Sequence, residues 1–306
     1  MYRRLFLLCL FVLLSGCRHL NDTSEKPVYL GGETAAFTSI LVQGNINVNL
    51  HTAGNSNVKL SGDPRDLAQL KWVVEKGVLR INLNQEYPDY GQVTVDISTR
   101  YLTSFSYQGT GVVTAVNLKS NALKVVLANT GRTVLQGQIG LRDLAVKGPG
   151  FVQINGIDSK FLNVKLEGKP RVQLVGTANL SSLEMKGHGW LSLYWVKSNV
   201  LKIRAKDHVF LQLAGVTKVL DVELWNEARF NGRYLRATRG FVKTHNKSEA
   251  DVAIVSRQHT LADDASNIYF YNLPEMKTDF MACNGSVLDM REWERNFMQE
   301  YTRYNN

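Results

Sequence analysis

Four cations, Lys147, Lys165, Lys186 and Arg204, each follow an apolar residue and recur at intervals of 18, 21 and 18, with Glu223 next in the series. If that interval is one turn of chain, the four stack at strand spacing and repel one another. A polyanion laid along the stack would relieve the repulsion. Salt would screen it as well, and the same residues would then be an ordinary solvated face. A second series, Arg132, Phe151, Arg171, Trp190 and Phe210, alternates guanidinium groups with aromatic rings. Cation–π stacking along it is worth about 0.5–1 kcal/mol per exposed pair. His188, Trp190, Tyr194 and Trp195 are the densest aromatic cluster, and rings with an apolar body and a polar tip suit sugar faces. The alternatives for these rings are stacking within the ladder or packing under a loop. A third series, Gln153, Gln173, Ser192 and Gln212, is expected to form side-chain hydrogen bonds.

Catalytic chemistry is harder to assemble. Polysaccharide cleavage needs clustered carboxylates and a proton acceptor, and Asp143, Asp158, Asp207 and Asp221 occupy different registers of the repeat. Asp263-Asp264 reads as a turn. His188 and His208 lie one repeat apart and could be neighbours, but two imidazoles make a weak metal site. Gly109-Thr110-Gly111 and Gly187-His188-Gly189 are bends, since no following helix or Lys completes a phosphate cradle. Cys283 has no His partner nearby and reads as a buried structural thiol. Neither a cofactor nor a metal is expected, and the function is expected to be non-catalytic. A polysaccharide-active lyase or hydrolase on the same fold is the alternative.

These series exist only if the chain repeats. Gly137, Gly156, Gly176, Trp195 and Gly215 fall at intervals of 19, 20, 19 and 20. An apolar residue lies two positions before each: Leu135, Ile154, Leu174, Leu193 and Leu213. A second apolar column is assigned to Leu144, Leu162, Leu183, Leu201 and Leu220. A unit of this size cannot bury its own core, whereas stacked units bury a continuous one. The expected fold is all-β, a right-handed β-helix or β-solenoid with 19–20-residue coils. Upstream, Ile46–Leu50, Val58–Leu60, Val78–Leu83 and Val93–Ile97 alternate apolar and polar residues, as half-buried strands do. Asp63 and Pro64 mark the start of a short helical turn. Leu288, Trp293, Phe297 and Tyr301 have near-helical spacing, so residues 287–303 are expected to form an amphipathic helix that caps the last coil.

The run Phe37-Thr38-Ser39-Ile40, then Val48-Asn49-Leu50-His51-Thr52-Ala53-Gly54, Val58-Lys59-Leu60-Ser61-Gly62, Lys76-Gly77-Val78-Leu79-Arg80-Ile81, Val93-Thr94-Val95-Asp96-Ile97 and Leu102–Gly111 resembles the auto-transporter adhesin "head GIN domain" family of bacterial envelope proteins. The resemblance spans most of residues 37–255 and rests on strand pattern and glycine placement. It implies a fold and an envelope location, and it transfers no catalytic residue. Pro170, Trp195 and His208 stand where the pattern expects glycine.

The amino terminus has its own chemistry. Arg3 and Arg4 precede the apolar run Leu5–Leu14, too short to span a membrane, and Leu14-Ser15-Gly16-Cys17 follows. This order reads as an export signal and resembles a lipoprotein signal, which implies cleavage before Cys17 and a lipid on its sulfur. Cys9 would be removed with the signal, leaving Cys283 without an internal disulfide partner. Removal of residues 1–16 lowers the net charge from +9 to +7. A basic exported protein suits anionic glycans, lipids or other envelope polymers rather than nucleic acid. The expected organisation is a signal peptide (1–16), a lipidated Cys with a flexible tether (17–36), the solenoid (37–272) and a C-terminal segment with the helix (273–306). The expected role is a lipid-anchored binding, adhesion or scaffold module of the bacterial cell envelope. Arg18 follows Cys17, and in a host with an outer membrane the absence of Asp at that position resembles lipoproteins sorted to it.

Overall fold

The computed structural model describes residues 28–84, 86–271 and 277–290. The signal peptide, Cys17, most of the tether, and Trp293, Phe297 and Tyr301 of the expected helix lie outside the described residues.

The chain forms a β-solenoid of about nine turns. Eight long strands each carry most of one turn: β9 (Val113–Asn129), β10 (Arg132–Lys147), β11 (Phe151–Gly168), β12 (Arg171–Gly187), β13 (Trp190–Asp207), β14 (Phe210–Trp225), β15 (Arg229–Thr244) and β16 (Glu249–Asp263). Each pairs in parallel with the next. Period-two alternation puts every second side chain inside. Leu135, Ile154, Leu174, Leu193 and Leu213 stack as one buried column, as expected.

The second column is corrected by the register. It runs Leu144–Val164–Leu183–Ile203–Val222, and Leu166–Met185–Ala205–Leu224 runs beside it. Between the paired residues Phe151 and Val164 the chain takes 13 steps, but between their partners Arg171 and Leu183 it takes 12. The extra residue is absorbed at a bulged corner, where the register shifts between Asn155 and Ile157 and again between Ser159 and Asn163.

Two corners explain the glycines. At one, a Cβ on Gly156, Gly176 or Gly215 would overlap a carbonyl oxygen of the previous turn. These residues also have positive φ, and Trp195 takes the same conformation at φ +63°. At the other, Gly148, Gly168, Gly187, Asp207, Asn226, Asn246, Asp264 and Asn284 are all left-handed, with φ from +50° to +111°. Only Gly, Asn and Asp visit this region routinely. Asn246 Nδ2 donates to Asn226 Oδ1 at 3.2 Å, and Asn226 Nδ2 donates to Asp207 Oδ1 at 3.3 Å.

The amino-terminal turns are stacked out of chain order. Strands β2 (Ser39–Gln43) and β3 (Asn47–Thr52) lie between β6 (Val78–Asn82) and β7 (Thr94–Thr99) on one side and β8 (Ser104–Gly109) and β9 on the other. The Tyr107 hydroxyl fastens this junction: it donates to Ile46 O at 2.9 Å and accepts from the Gly111 N–H at 2.8 Å. Burial holds its pKa above the usual tyrosine value. Antiparallel strands β4 (Asn57–Gly62) and β5 (Lys71–Glu75) cover the outer edges of β7 and β6, and β1 (Val28–Glu33) adds to β4. The single helix described, α1 (Pro64–Leu67), is capped by Asp63, whose side chain accepts from Arg65 N–H. Part of the segment expected to be a tether is therefore strand.

The far end also differs from expectation. Strands β17 (Asn267–Phe270), β18 (Lys277–Cys283) and β19 (Ser286–Asp289) continue the stack past residue 272. Residues 287–289, expected to open the capping helix, are strand. Their backbone pairs with β17, and that pairing prevails over the helical spacing of the side chains. Cys283 is exposed, not buried, because β18 lies at the edge of the stack.

Candidate functional site

Outward residues on the second half of each turn form three columns. The four expected cations do not share one of them. Lys147 and Lys186 belong to the column Lys147–Glu167–Lys186–Lys206–Trp225, whereas Lys165 and Arg204 belong to Lys165–Glu184–Arg204–Glu223–Lys243. The alternating 12- and 13-residue spacing is the cause: a fixed count after the corner slips by one residue in every second turn, and keeping to outward positions turns that slip into a displacement of two, from Glu167 to Lys165 and from Lys206 to Arg204. Acids now separate most of the cations. Lys147 pairs with Glu167 at 3.1 Å, Lys165 with Glu167 at 3.5 Å and with Glu184 at 3.9 Å. The two lysines and the hydrogen bonds they donate hold Glu167 below the usual carboxylate pKa. Arg204 pairs with Asp221 at 3.0 Å and with Glu223 at 3.1 Å.

One like-charge step survives. Lys186 and Lys206 are register partners, both exposed, and neither is in an ion pair among the described residues. Lys206 Nζ lies 4.5 Å from the centroid of Trp225, whose ring stacks on His245 at 5.7 Å. His245 Nδ1 lies 2.7 Å from Asp263 Oδ1. Lys165, Lys186, Arg204, Lys206 and Trp225 line one shallow groove together with Glu167 and Glu184. Lys206 and Trp225 were not singled out in the sequence, although counting back from the left-handed Asp207 and Asn226 would have aligned them.

The first half of each turn carries the alternating ladder as expected. Arg132, Phe151, Arg171, Trp190 and Phe210 are successive register partners, followed by Arg229. The Arg132 guanidinium lies 5.3 Å from the Phe151 centroid. The arginines are exposed and the rings half-buried between them, so this column is in part its own ligand. Gln153, Gln173, Ser192 and Gln212 are also in register, but no hydrogen bond joins them among the described residues, and the buried Ser192 hydroxyl has no partner.

His188, Trp190, Tyr194 and Trp195 form no shared platform. Trp190 and Tyr194 point to one face about 13 Å apart along a strand, Trp195 stands at the corner itself, and His188 stacks on His208 at 4.9 Å with rings 4° from parallel. His208 Nε2 in turn lies 2.8 Å from Glu227.

Residues 36–205 match the family described as "Putative auto-transporter adhesin, head GIN domain". The chain belongs to this family. Among curated proteins none matches. Three solved structures are similar to this GIN-domain chain. A "putative lipid binding protein" from Parabacteroides distasonis is 12% identical, covers 87% of this chain and 97% of its own, and has a TM-score of 0.46. A "putative adhesin" from Parabacteroides merdae is 14% identical with the same coverage and a TM-score of 0.43. One from Bacteroides fragilis is 12% identical, with 87% and 98% covered and a TM-score of 0.36.

The segment matched to the head GIN domain ends inside β13, so Lys206 and Trp225 lie just past it. So does a second cluster that was not read from the sequence. Glu249 and Asp251 project from the same face of β16 two residues apart, about 7 Å along the strand. Burial, then the charge of Glu249, pushes Asp251 up to about 6. Tyr271 Oη donates to Asp251 Oδ1 at 3.3 Å, and the Arg233 guanidinium lies 5.0 Å from the Tyr271 ring. Among the described residues, no three His, Cys, Asp or Glu are placed to hold a metal ion.

Proposed function

We propose that this GIN-domain protein is a non-catalytic adhesion or binding module of the bacterial cell envelope and that its ligand is an anionic glycan. The observation that carries the reading is the Lys186–Lys206 step beside Trp225. Two ammonium groups at adjacent ladder positions without carboxylate partners are unfavourable until an anion joins them. Lys206 is a flexible chain resting on an aromatic face. A ligand carboxylate or phosphate draws the ammonium off the ring and leaves that face to the plane of a sugar. Lys165 and Arg204 line the same groove but are already engaged by acids, so they set the edge of the site. Attachment to the outer membrane through a lipid on Cys17 would present the rod at the cell boundary, since acylation with more than one chain gives stable anchoring.

The test is binding of the full chain to an array of envelope glycans, lipopolysaccharide and peptidoglycan fragments. Salt-sensitive binding is expected, lost in Lys186→Gln/Lys206→Gln and weakened in Trp225→Ala. A folded protein that binds nothing on the array overturns the reading and leaves a scaffold role.

One observation favours the second reading, a polysaccharide-active lyase or hydrolase. Asp251, a carboxyl that burial pushes up to about 6, lies two residues from a second carboxylate, Glu249, on one face of the strand, and glycoside cleavage uses such a pair as acid and partner. Release of reducing sugar from any envelope polysaccharide, abolished by Asp251→Asn, would establish it.

A further inference from the structure

A different flank of the solenoid, the corner between the two halves of each turn, carries the most uniform charge on the molecule. Residues 195–201, 214–220, 234–240, 253–258 and 277–278 pass this corner on five successive turns and contain six Lys or Arg and, among the described residues, no Asp or Glu. Arg239 and Arg257 are register partners, and so are Arg257 and Lys277. Lys218 adjoins Val219, the partner of Arg239, and Lys197 lies one turn earlier in the neighbouring Val216–Arg236 column. Lys197, Lys218, Arg239, Arg257 and Lys277 are all exposed, and none is in an ion pair among the described residues. On an earlier turn at the same corner Asp158 intervenes before Lys160, and the next column, Asp143–Asn163–Ser182–Lys202–Asp221, holds acids at both ends.

We propose that this flank binds a linear acidic polysaccharide lying parallel to the solenoid axis. Arg239, Arg257 and Lys277 stack as a row of charges about 4.8 Å apart and about 10 Å long, and Lys218 and Lys197, displaced along the strand by one and three residues, extend it obliquely over two more turns. The β ladders fix Arg239, Arg257 and Lys277 in line, so a polymer with regularly spaced anions meets them without reordering the protein. The row begins in a groove lined by Lys197, Lys218 and Arg236 with the hydroxyl residues Ser198, Thr217 and Thr238. A polymer strand enters such a groove, whereas a flat bilayer surface cannot. Ser198 and Thr217 already donate to Leu180 O and Val219 O, so the cations dominate recognition there. The proposal uses none of the residues around Trp225 and stands or falls separately from the groove described above.

The probe is oligogalacturonate of graded length, and the readout is its affinity for the full chain as a function of NaCl. Affinity is expected to rise with oligomer length until the five turns are spanned, then level off. Arg239→Gln/Arg257→Gln/Lys277→Gln should weaken binding at low salt at least tenfold. By analogy with single-stranded polyanions, it should also lower the slope of log affinity against log salt by about two units. Lys59→Gln, an exposed cation of β4 outside both sites, should leave both quantities unchanged. Unaltered binding by the triple variant overturns the proposal, as does loss of binding in the Lys186/Lys206 variant instead. Capture of phosphatidylglycerol vesicles, but not of oligogalacturonate, with the triple variant defective, also overturns it and assigns the flank to a membrane.

Discussion

Three alanine substitutions separate the two reasons a turn of this solenoid needs glycine. Gly54 has open space around it and no positive φ. Gly77, in the hairpin turn between β5 and β6, has open space but φ +74°. Gly156 has φ +81°, and a Cβ there would overlap the Gly137 carbonyl oxygen. Gly54→Ala is expected to change stability by no more than about 0.5 kcal/mol. Gly77→Ala pays for the left-handed backbone alone, about 1 kcal/mol. Gly156→Ala bears that cost and must also push the neighbouring turn away, losing about two ladder hydrogen bonds at about 1 kcal/mol each, for a total of about 3 kcal/mol. Urea denaturation followed by far-ultraviolet circular dichroism reads all three as midpoint shifts at constant slope. If Gly156→Ala costs no more than Gly77→Ala, close approach of the turns is not what selects glycine at this corner, and the account of the 19–20-residue repeat is wrong.

Asp251 gives a pH prediction. Its folded pKa, about 6, lies above the usual 3.8, so its contribution to stability is fully present below pH 3.8 and is lost as pH rises through 6. Asp251→Asn mimics the neutral form and should match wild type at pH 3.5 but exceed it by about 2–3 kcal/mol at pH 7.5; an equal difference at both pH values would show that the carboxyl is not disfavoured as an anion. Asn246→Ala should cost about 1 kcal/mol in thermal or urea melts, with Asn246→Gly costing less, because the left-handed φ of +52° is the larger part of the asparagine preference. Arg204→Ala leaves Asp221 and Glu223 without their shared partner, and should cost about 1 kcal/mol in 20 mM salt and much less in 1 M NaCl.

The coil and its first corner were readable because Gly137, Gly156, Gly176 and Gly215 mark a place where the backbone has no alternative. Residues counted outward from that corner land correctly, which is why the Arg132–Phe210 ladder is in register. Beyond the bulge the count fails. Leu162 and Val164 are both apolar and both buried, so the pattern alone cannot tell which of them pairs with Leu183, and the basic ladder was misassigned as a result. In β18, Lys277–Cys283 lacks alternation because an edge strand has almost no buried face. Family resemblance fixed neither the cations nor their partners, since side chains on the outer columns are not needed to close the turn.

The nesting of β2 and β3 between later strands has a consequence for how the rod comes into being. The first turn to leave the ribosome has no neighbour on either edge until residues 78–99 and 104–116 have also been made. Assembly therefore cannot proceed by laying down turns in order of synthesis. Residues 39–116 must close together as one three-turn unit, whereas β10 to β16, each paired with its neighbour in the chain, can be added one repeat at a time. Antiparallel β4 and β5 seal the other edge of that unit, so further turns extend the stack from it in one direction only.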